Sequence, residues 1–105
     1  MTAAPVTSAR RGTADTPSAA AQQLRQSGAD VLELPADVGD EQQIAAAVAT
    51  VTSRWGGLDA AVAAAGISMS VTGDARVDRL ELPVWERIIH TNLTGMFLTL
   101  SLIHI

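Results

Sequence analysis

The stretch from Ala29 to Gly66 most constrains the fold of this chain, because its pattern of apolar residues changes twice. The short apolar run Val31–Leu34 is typical of a strand, and a polar turn at 37–40 follows it. Four large residues then recur at helical spacing on one face, namely Ile44, Val48, Val51 and Trp55. Residues 58–65 are small and almost wholly apolar, as in a parallel strand that is covered on both faces. This order of strand, helix and strand predicts one right-handed unit of a parallel sheet.

The helix of this unit carries a signal at each end. Asp40 stands at the N-cap position, and Gln43 follows three residues later as its capping-box partner. Gly56 and Gly57 supply a left-handed stop after the last apolar residue. The sequence therefore predicts a helix that begins just after Asp40 and ends before Gly56.

A short strand and a weakly anchored helix are predicted before this unit. Residues 6–9 have the composition of the end of a strand. Thr16 is the expected N-cap of the helix, with Pro17 at its first position, where the missing amide donor costs nothing. Leu24 is the only large apolar residue before Gly28 ends the segment, so we expect a surface helix.

Composition excludes several classes of function. The net charge of −4 argues against a nucleic-acid surface, which needs a basic face. The chain has no cysteine, which excludes disulfides and thiolate metal sites and favours the reducing cytoplasm. The N-terminus has no apolar core of signal-peptide length, and the apolar run 96–105 is about half of the ~20 residues that span a bilayer. We expect a single domain, residues 1–105, without a membrane partner.

A long loop and a second helix follow Gly66. The loop 68–82 has roughly fifteen residues, and loops of that length are often functional. Pro83 opens the helix, whose broad apolar face consists of Trp85, Ile88, Ile89, Leu93, Phe97 and Leu100. Asn92 lies in or beside this face and needs hydrogen-bond partners if it is buried. His90 has no second ligand one helical turn away, so we expect it at the surface or rim and predict no metal site.

Three motifs, in order and at matching spacing, make the chain resemble the short-chain dehydrogenase/reductase family. They are Ala36-Asp37-Val38 after a strand, RWGGLDAAVAAAGIS at 54–68 and WERIIHTNLTGMFLT at 85–99, and a weaker match is TSARR at 7–11. The resemblance covers residues 9–99. It implies an α/β fold, a partial doubly wound (Rossmann-type) parallel sheet with helices on both faces, which lacks the first strand and the C-terminal half.

The resemblance also implies an activity and a set of site residues. The activity is NAD(P)-dependent interconversion of an alcohol and a carbonyl, by hydride transfer, on a small-molecule substrate. Asn92 would support the catalytic proton relay. Six further residues would bind the cofactor: Arg10, Asp37 and Val38 at the adenosine end, and Ala64, Ala65 and Gly66 beside the ribose. The helix 83–100 would join subunits of a homo-oligomer.

Two of these residues keep a second interpretation. Asp37 can be a turn residue whose carboxylate caps the following loop, as aspartate commonly does. Asn92 can lie at the edge of the apolar face instead of bonding within a helix kink. Which interpretation holds depends on the groups that lie next to each side chain in the folded chain.

The chain also departs from the family pattern. It contains no Gly-x-x-x-Gly-x-Gly loop and no tyrosine, so the family's Tyr-x-x-x-Lys is absent. The family's paired asparagines are replaced by Ala63-Ala64. We therefore expect a partial dinucleotide-binding domain, truncated at both ends, marginally stable and inactive as given. The alternative is a catalytically empty relative that acts as a binding or dimerisation module.

Cofactor choice gives the first prediction. Ala9 stands where an acidic residue would bind the ribose 2′-hydroxyl and select NAD, and Arg10 follows. A guanidinium can bind the 2′-phosphate of NADP with paired donors. A charge-assisted bond of about 1.5–3 kcal/mol corresponds to a roughly ten- to hundredfold preference for NADP over NAD.

The preference is measured as the ratio of kcat/KM for NADPH and NADH in the full-length enzyme and in Arg10→Ala. We expect the variant to lose the preference. A parent that prefers NADH, or an unchanged ratio in the variant, would show that Arg10 is merely solvated.

Overall fold

The computed structural model describes residues 6–9, 18–68 and 76–104. Within these ranges the chain forms two strands, four α-helices and a π-helical segment. They are β1 (Val6–Ala9), α1 (Ala19–Gln26), β2 (Val31–Leu34), α2 (Glu41–Trp55), α3 (Leu82–Ile89), the π segment (His90–Thr94) and α4 (Gly95–Leu102). None of the helices described is long and apolar enough to cross a membrane.

The strands β1 and β2 are parallel neighbours, and α1 is the crossover between them. Their register pairs Val6 with Val31 and ends with Ala9 opposite Leu34. Gly28 follows the C-cap of α1 and has a left-handed φ of 92°, so it stops the helix as predicted. The amides of Gly28 and Ala29 return to the carbonyls of Arg25 and Leu24, which completes a Schellman motif. The described residues thus contain one strand–helix–strand unit of a parallel sheet.

The N-cap of α1 is Ser18, and the prediction of Thr16 was wrong; Thr16 itself lies outside the described residues. The Ser18 Oγ accepts from the Ala21 amide at 3.2 Å. The Ser18 amide donates to the Glu33 carboxylate of β2 at 3.0 Å. A tertiary contact with the neighbouring strand therefore determines where this helix begins.

The limits of α2 agree with the prediction. The Asp40 Oδ1 accepts from the Gln43 amide at 3.1 Å, and Gly56 ends the helix with a φ of 81°. Ile44 and Val51 are buried, whereas Val48 and Trp55 are half-buried. The helix therefore places the predicted face inward.

The capping box of α2 differs from the expected one. Gln43 does not bind the Asp40 amide, because that amide donates to the Asp37 carbonyl at 3.0 Å. The Gln43 Oε1 instead accepts from the Asp37 amide at 2.8 Å, and its Nε2 donates to the Asp40 Oδ2 at 3.0 Å. The start of α2 and the preceding turn are thereby joined.

The strand predicted over residues 58–65 is not formed. This described segment carries no strand pairing, and Val62 is 89% exposed. A strand needs a neighbouring backbone, and in the doubly wound order this one pairs with the first strand of the fold and not with β1. No such neighbour lies among the described residues. The sheet described has two strands, and the wider partial sheet with helices on both faces is not shown.

The second long helix is present, but it is divided by the π segment. Pro83 lies near its start, as predicted. The described residues leave four members of its apolar face exposed, Trp85, Leu93, Phe97 and Leu100, whereas Ile88 and Ile89 are half-buried. Leu82 and Met96 of the same helix are also exposed. Gly95 is buried, where α4 packs near the turn that precedes α2.

Asp30 ties the end of α2 to the start of β2. Its carboxylate accepts from the Arg54 Nη2 at 2.6 Å and from the Trp55 Nε1 at 2.9 Å. The Arg54 guanidinium also lies 5.1 Å from the centre of the Trp55 ring. The hydrogen bond from Arg54, and after it the one from Trp55, holds the pKa of Asp30 below its ordinary value of 3.8.

This pKa predicts an acid dependence of stability. Because the folded state has the lower pKa, the stabilisation is present above the unfolded value and is lost as the pH falls through the folded one. Between about pH 5 and about pH 3 we expect the thermal midpoint of the wild type to fall more than that of Asp30→Asn. Circular dichroism at a series of pH values measures both slopes. Asp59→Asn, at another exposed aspartate, is the matched control and should keep the wild-type slope; an Asp30→Asn slope equal to it would contradict the prediction.

Candidate functional site

The candidate site is organised around the π segment. The Gly95 amide donates to the carbonyl of His90, five residues earlier, which is the bonding pattern of a π-helix. Such segments are rare inside α-helices and are frequently found at functional sites. Asn92 lies in the middle of the segment, half-buried. The helix is therefore irregular at Asn92, and the hydrogen bonds of the Asn92 amide lead out of the helix.

Asn92 binds the chain after Gly66 through both atoms of its amide. The Ile67 amide donates to the Asn92 Oδ1 at 2.8 Å, and the Asn92 Nδ2 donates to the Ile67 carbonyl at 2.8 Å. These two bonds satisfy the backbone of Ile67 as a neighbouring strand would. A Cβ on Gly66 would lie 3.4 Å from the same Oδ1, so Gly66 borders the amide.

The turn at 37–40 lies on another side of the π segment. The Asp37 Oδ1 accepts from the Gly39 amide at 2.9 Å, and the Asp37 carbonyl accepts from the Asp40 amide at 3.0 Å. The carboxylate thus caps its own turn, which is the structural interpretation considered from the sequence. Asp37 is exposed and Val38 is half-buried, so the turn presents an open edge.

Val38 packs closely against the start of α4. A Cβ on Gly95 would lie 2.7 Å from the Val38 Cγ2 and 3.1 Å from the Val38 Cβ. Any side chain at position 95 would force the turn away from the helix. Glycine inside a helix costs about 0.5–1 kcal/mol relative to alanine, so this glycine requires a reason, and the contact with Val38 supplies it.

The structure brings together four of the residues that the resemblance singles out: Asp37, Val38, Gly66 and Asn92. Ala64 and Ala65 precede Gly66 in an exposed segment. Arg10 lies outside the described residues. The functions assigned to these residues stay predictions. Among the described residues no group of three or more histidine, cysteine, aspartate or glutamate side chains could hold a metal ion.

Sequence reasoning missed Ile67 and Gly95 as parts of this site. Ile67 takes part through its backbone, which no side-chain motif can reveal. Gly95 could have been noticed as an isolated glycine within a strongly apolar helix.

Comparison with known proteins establishes the family. The model of the short chain dehydrogenase family matches residues 4–104, so the chain belongs to this family of oxidoreductases. The resemblance stated from the sequence motifs is thereby confirmed.

The chain matches its curated relatives over only part of their length. A 3-oxoacyl-(acyl-carrier-protein) reductase, FabG, of Staphylococcus aureus is 31% identical over 86 residues, which are 82% of this chain and 33% of the relative. Cis-4-hydroxycyclohexanecarboxylate dehydrogenase of Sinomonas cyclohexanicum is 36% identical over 78 residues, 74% of this chain and 30% of the relative. The chain thus spans about a third of the length of these relatives.

A solved structure shows the same fold. A 3-ketoacyl-ACP reductase from Sinorhizobium meliloti 1021 is 39% identical with a TM-score of 0.71, and the match covers 80% of this chain and 32% of that one. Since such neighbours have the Rossmann-type fold, the fold class expected from the resemblance is supported at that level.

The Asn92–Ile67 pair gives a prediction for stability. Asn92→Ala removes two hydrogen bonds worth about 0.5–1.5 kcal/mol each, so we expect the free energy of unfolding to fall by about 1–3 kcal/mol. Glu86→Ala, at an exposed position of α3 outside the apolar face, is the control and should change it by less than about 0.5 kcal/mol. Urea denaturation followed by tryptophan fluorescence measures both values. Equal losses in the two variants would show that the amide pair contributes nothing.

Proposed function

We propose that this chain is part of an NAD(P)-dependent oxidoreductase that interconverts an alcohol and a carbonyl by hydride transfer. The observation that carries the proposal is the meeting of three elements at the π segment. Asn92 holds the backbone after Gly66, while Val38 of the turn packs on Gly95 of the same helix. Membership of the short chain dehydrogenase family supports it.

The adenosine end of the cofactor is the part that these residues fit. Asp37 and Val38 lie at an open edge of the turn, where we propose that they contact the adenine. The Gly39 amide holds the Asp37 carboxylate in a fixed direction. Ala64, Ala65 and Gly66 are exposed and small, so their backbone can approach a ribose closely. When bound, the nicotinamide supplies the hydride-transfer chemistry.

The sequence lacks the loop that binds the phosphate end of the cofactor. Pyrophosphate groups bind backbone amides of a glycine-rich loop at a helix start, and the chain contains no Gly-x-x-x-Gly-x-Gly. We therefore propose that the chain alone binds nicotinamide cofactors weakly and is inactive. NADP is the proposed cofactor because of Arg10, with NAD as the alternative.

Asn92 is proposed to support the proton relay by fixing geometry. Its two bonds hold Ile67, and with it Gly66, at a set distance from the π segment. A relay group displaced by an ångström loses much of its rate, so a rigid support is valuable. The general acid/base itself would be a tyrosine, and this sequence contains none.

A second candidate function is a catalytically empty binding or dimerisation module. Its support is the uncovered apolar face of the helix 82–100, which includes Trp85 and Phe97 at 50% and 64% exposure. Exposed apolar patches of this kind mark interaction surfaces. In both proposals we expect this helix to join subunits of a homo-oligomer, so association alone does not distinguish them.

The test combines flanking DNA with two assays. We expect a glycine-rich loop upstream and a Tyr-x-x-x-Lys downstream in the same reading frame. The protein read from that frame should reduce a carbonyl substrate with NADPH. A 3-oxoacyl-(acyl-carrier-protein) is the first to try, because two relatives are named as 3-oxoacyl- or 3-ketoacyl-ACP reductases. In this protein Asn92→Ala should lower kcat by at least about tenfold, since a positioned proton relay contributes about 10²–10⁴.

The 105-residue chain is the matched control. It should show no turnover, and no micromolar binding of NADPH by calorimetry. Micromolar binding to the chain would contradict the proposed weakness of the phosphate end. A reading frame without both flanking motifs would favour the binding module.

A further inference from the structure

A second residue of the π segment contacts the turn at 37–40. A Cβ on Gly39 would lie 2.5 Å from the Nε2 and 2.6 Å from the Cδ2 of His90. Real Cβ atoms do not approach other atoms so closely, so a side chain at position 39 would require either the exposed imidazole of His90 or the turn to move. The same Cβ would lie 3.4 Å from the Asp37 Oδ1, so the ring and this carboxylate flank one point.

Backbone conformation does not explain the glycine at position 39. The described glycines with positive φ are Gly28 and Gly56, and Gly39 is not among them. A positive φ is therefore not the reason for glycine at position 39. The contact with His90 is therefore the reason that the structure offers for glycine at this position.

The π segment explains how one helix meets two successive residues of the turn. His90 faces Gly39 and Gly95 faces Val38, although His90 and Gly95 are five residues apart. In an α-helix such residues would point about 140° away from each other. The π-type bond from the Gly95 amide to the His90 carbonyl places them one above the other, so both can meet the turn.

We propose that His90 is a positioning residue for the adenine-binding turn, and that this inference rests on the proposed function. The imidazole packs on Gly39 and holds the edge formed by Asp37 and Val38. Asn92, two residues further along the same segment, holds Ile67. One π turn thus positions the adenosine end of the cofactor and the support of the proton relay together.

The first test is a double-mutant cycle of Gly39→Ala and His90→Ala. Its readout is amide hydrogen exchange at Gly39 and Asp40, whose amides both donate to Asp37. We expect each single variant to exchange about five- to thirtyfold faster than the wild type at these amides. In the His90→Ala background, Gly39→Ala should add little, because the clashing ring is absent.

A control and a conservative variant separate packing from general damage. Glu86→Ala changes an exposed residue of α3, outside its apolar face, and should leave exchange at Gly39 unchanged. His90→Phe keeps a planar ring over Gly39 and should restore most of the protection that His90→Ala loses. If Gly39→Ala fails to fold, the exchange rates of Gly39 and Asp40 in His90→Ala alone still test the contact. The proposal would be overturned if the two substitutions had additive effects on the free energy of exchange in the double variant. It would also be overturned if His90→Ala left the exchange rate unchanged.

The second test uses the protein read from the complete reading frame. It compares a cofactor that has the adenosine end with one that lacks it. His90→Ala should raise KM for NADPH about five- to thirtyfold and leave kcat unchanged. With reduced nicotinamide mononucleotide, which lacks the adenosine, the variant and the wild type should not differ. An equal effect on both cofactors would overturn the assignment to the adenine turn. A wild type without any turnover would instead count against the proposed function, and the exchange cycle would still decide the role of His90.

Discussion

The paired hydrogen bonds between Asn92 and Ile67 join two parts of the chain that share no strand pairing. The segment that precedes Ile67 has no strand neighbour in the described residues, so its backbone polar groups need other partners. The side-chain amide of Asn92 supplies a donor and an acceptor at 2.8 Å each. The position of Gly66 relative to the helix follows from this pair, and the candidate site depends on it.

Three glycines let side chains pack closely around the π segment. Gly39 accommodates His90, Gly66 borders Asn92, and Gly95 accommodates Val38. The π-type hydrogen bond brings residues five apart to one side of the helix, which an α-helix would not do. The turn after β2 and the loop after Gly66 are therefore held by the same helical turn.

Local signals were sufficient where an element depends on its own residues. The N-cap at Asp40, the left-handed Gly56 and the buried face with Ile44 and Val51 were all predicted for α2 and are observed. The family was also predictable, because three motifs keep their order and spacing over most of the chain. These features need no knowledge of distant contacts.

What the sequence by itself determined is the limits of α2, the stop of α1 at Gly28, the buried face of α2 and the family. The tertiary structure alone decided the start of α1, since Ser18 is held by Glu33 of the neighbouring strand. It also decided the missing strand at 58–65 and the partner of Asn92, which lies 25 residues away in sequence. Helices form from hydrogen bonds within one segment, so their pattern is local. Strands, and the partners of polar side chains, depend on which distant backbone lies beside them.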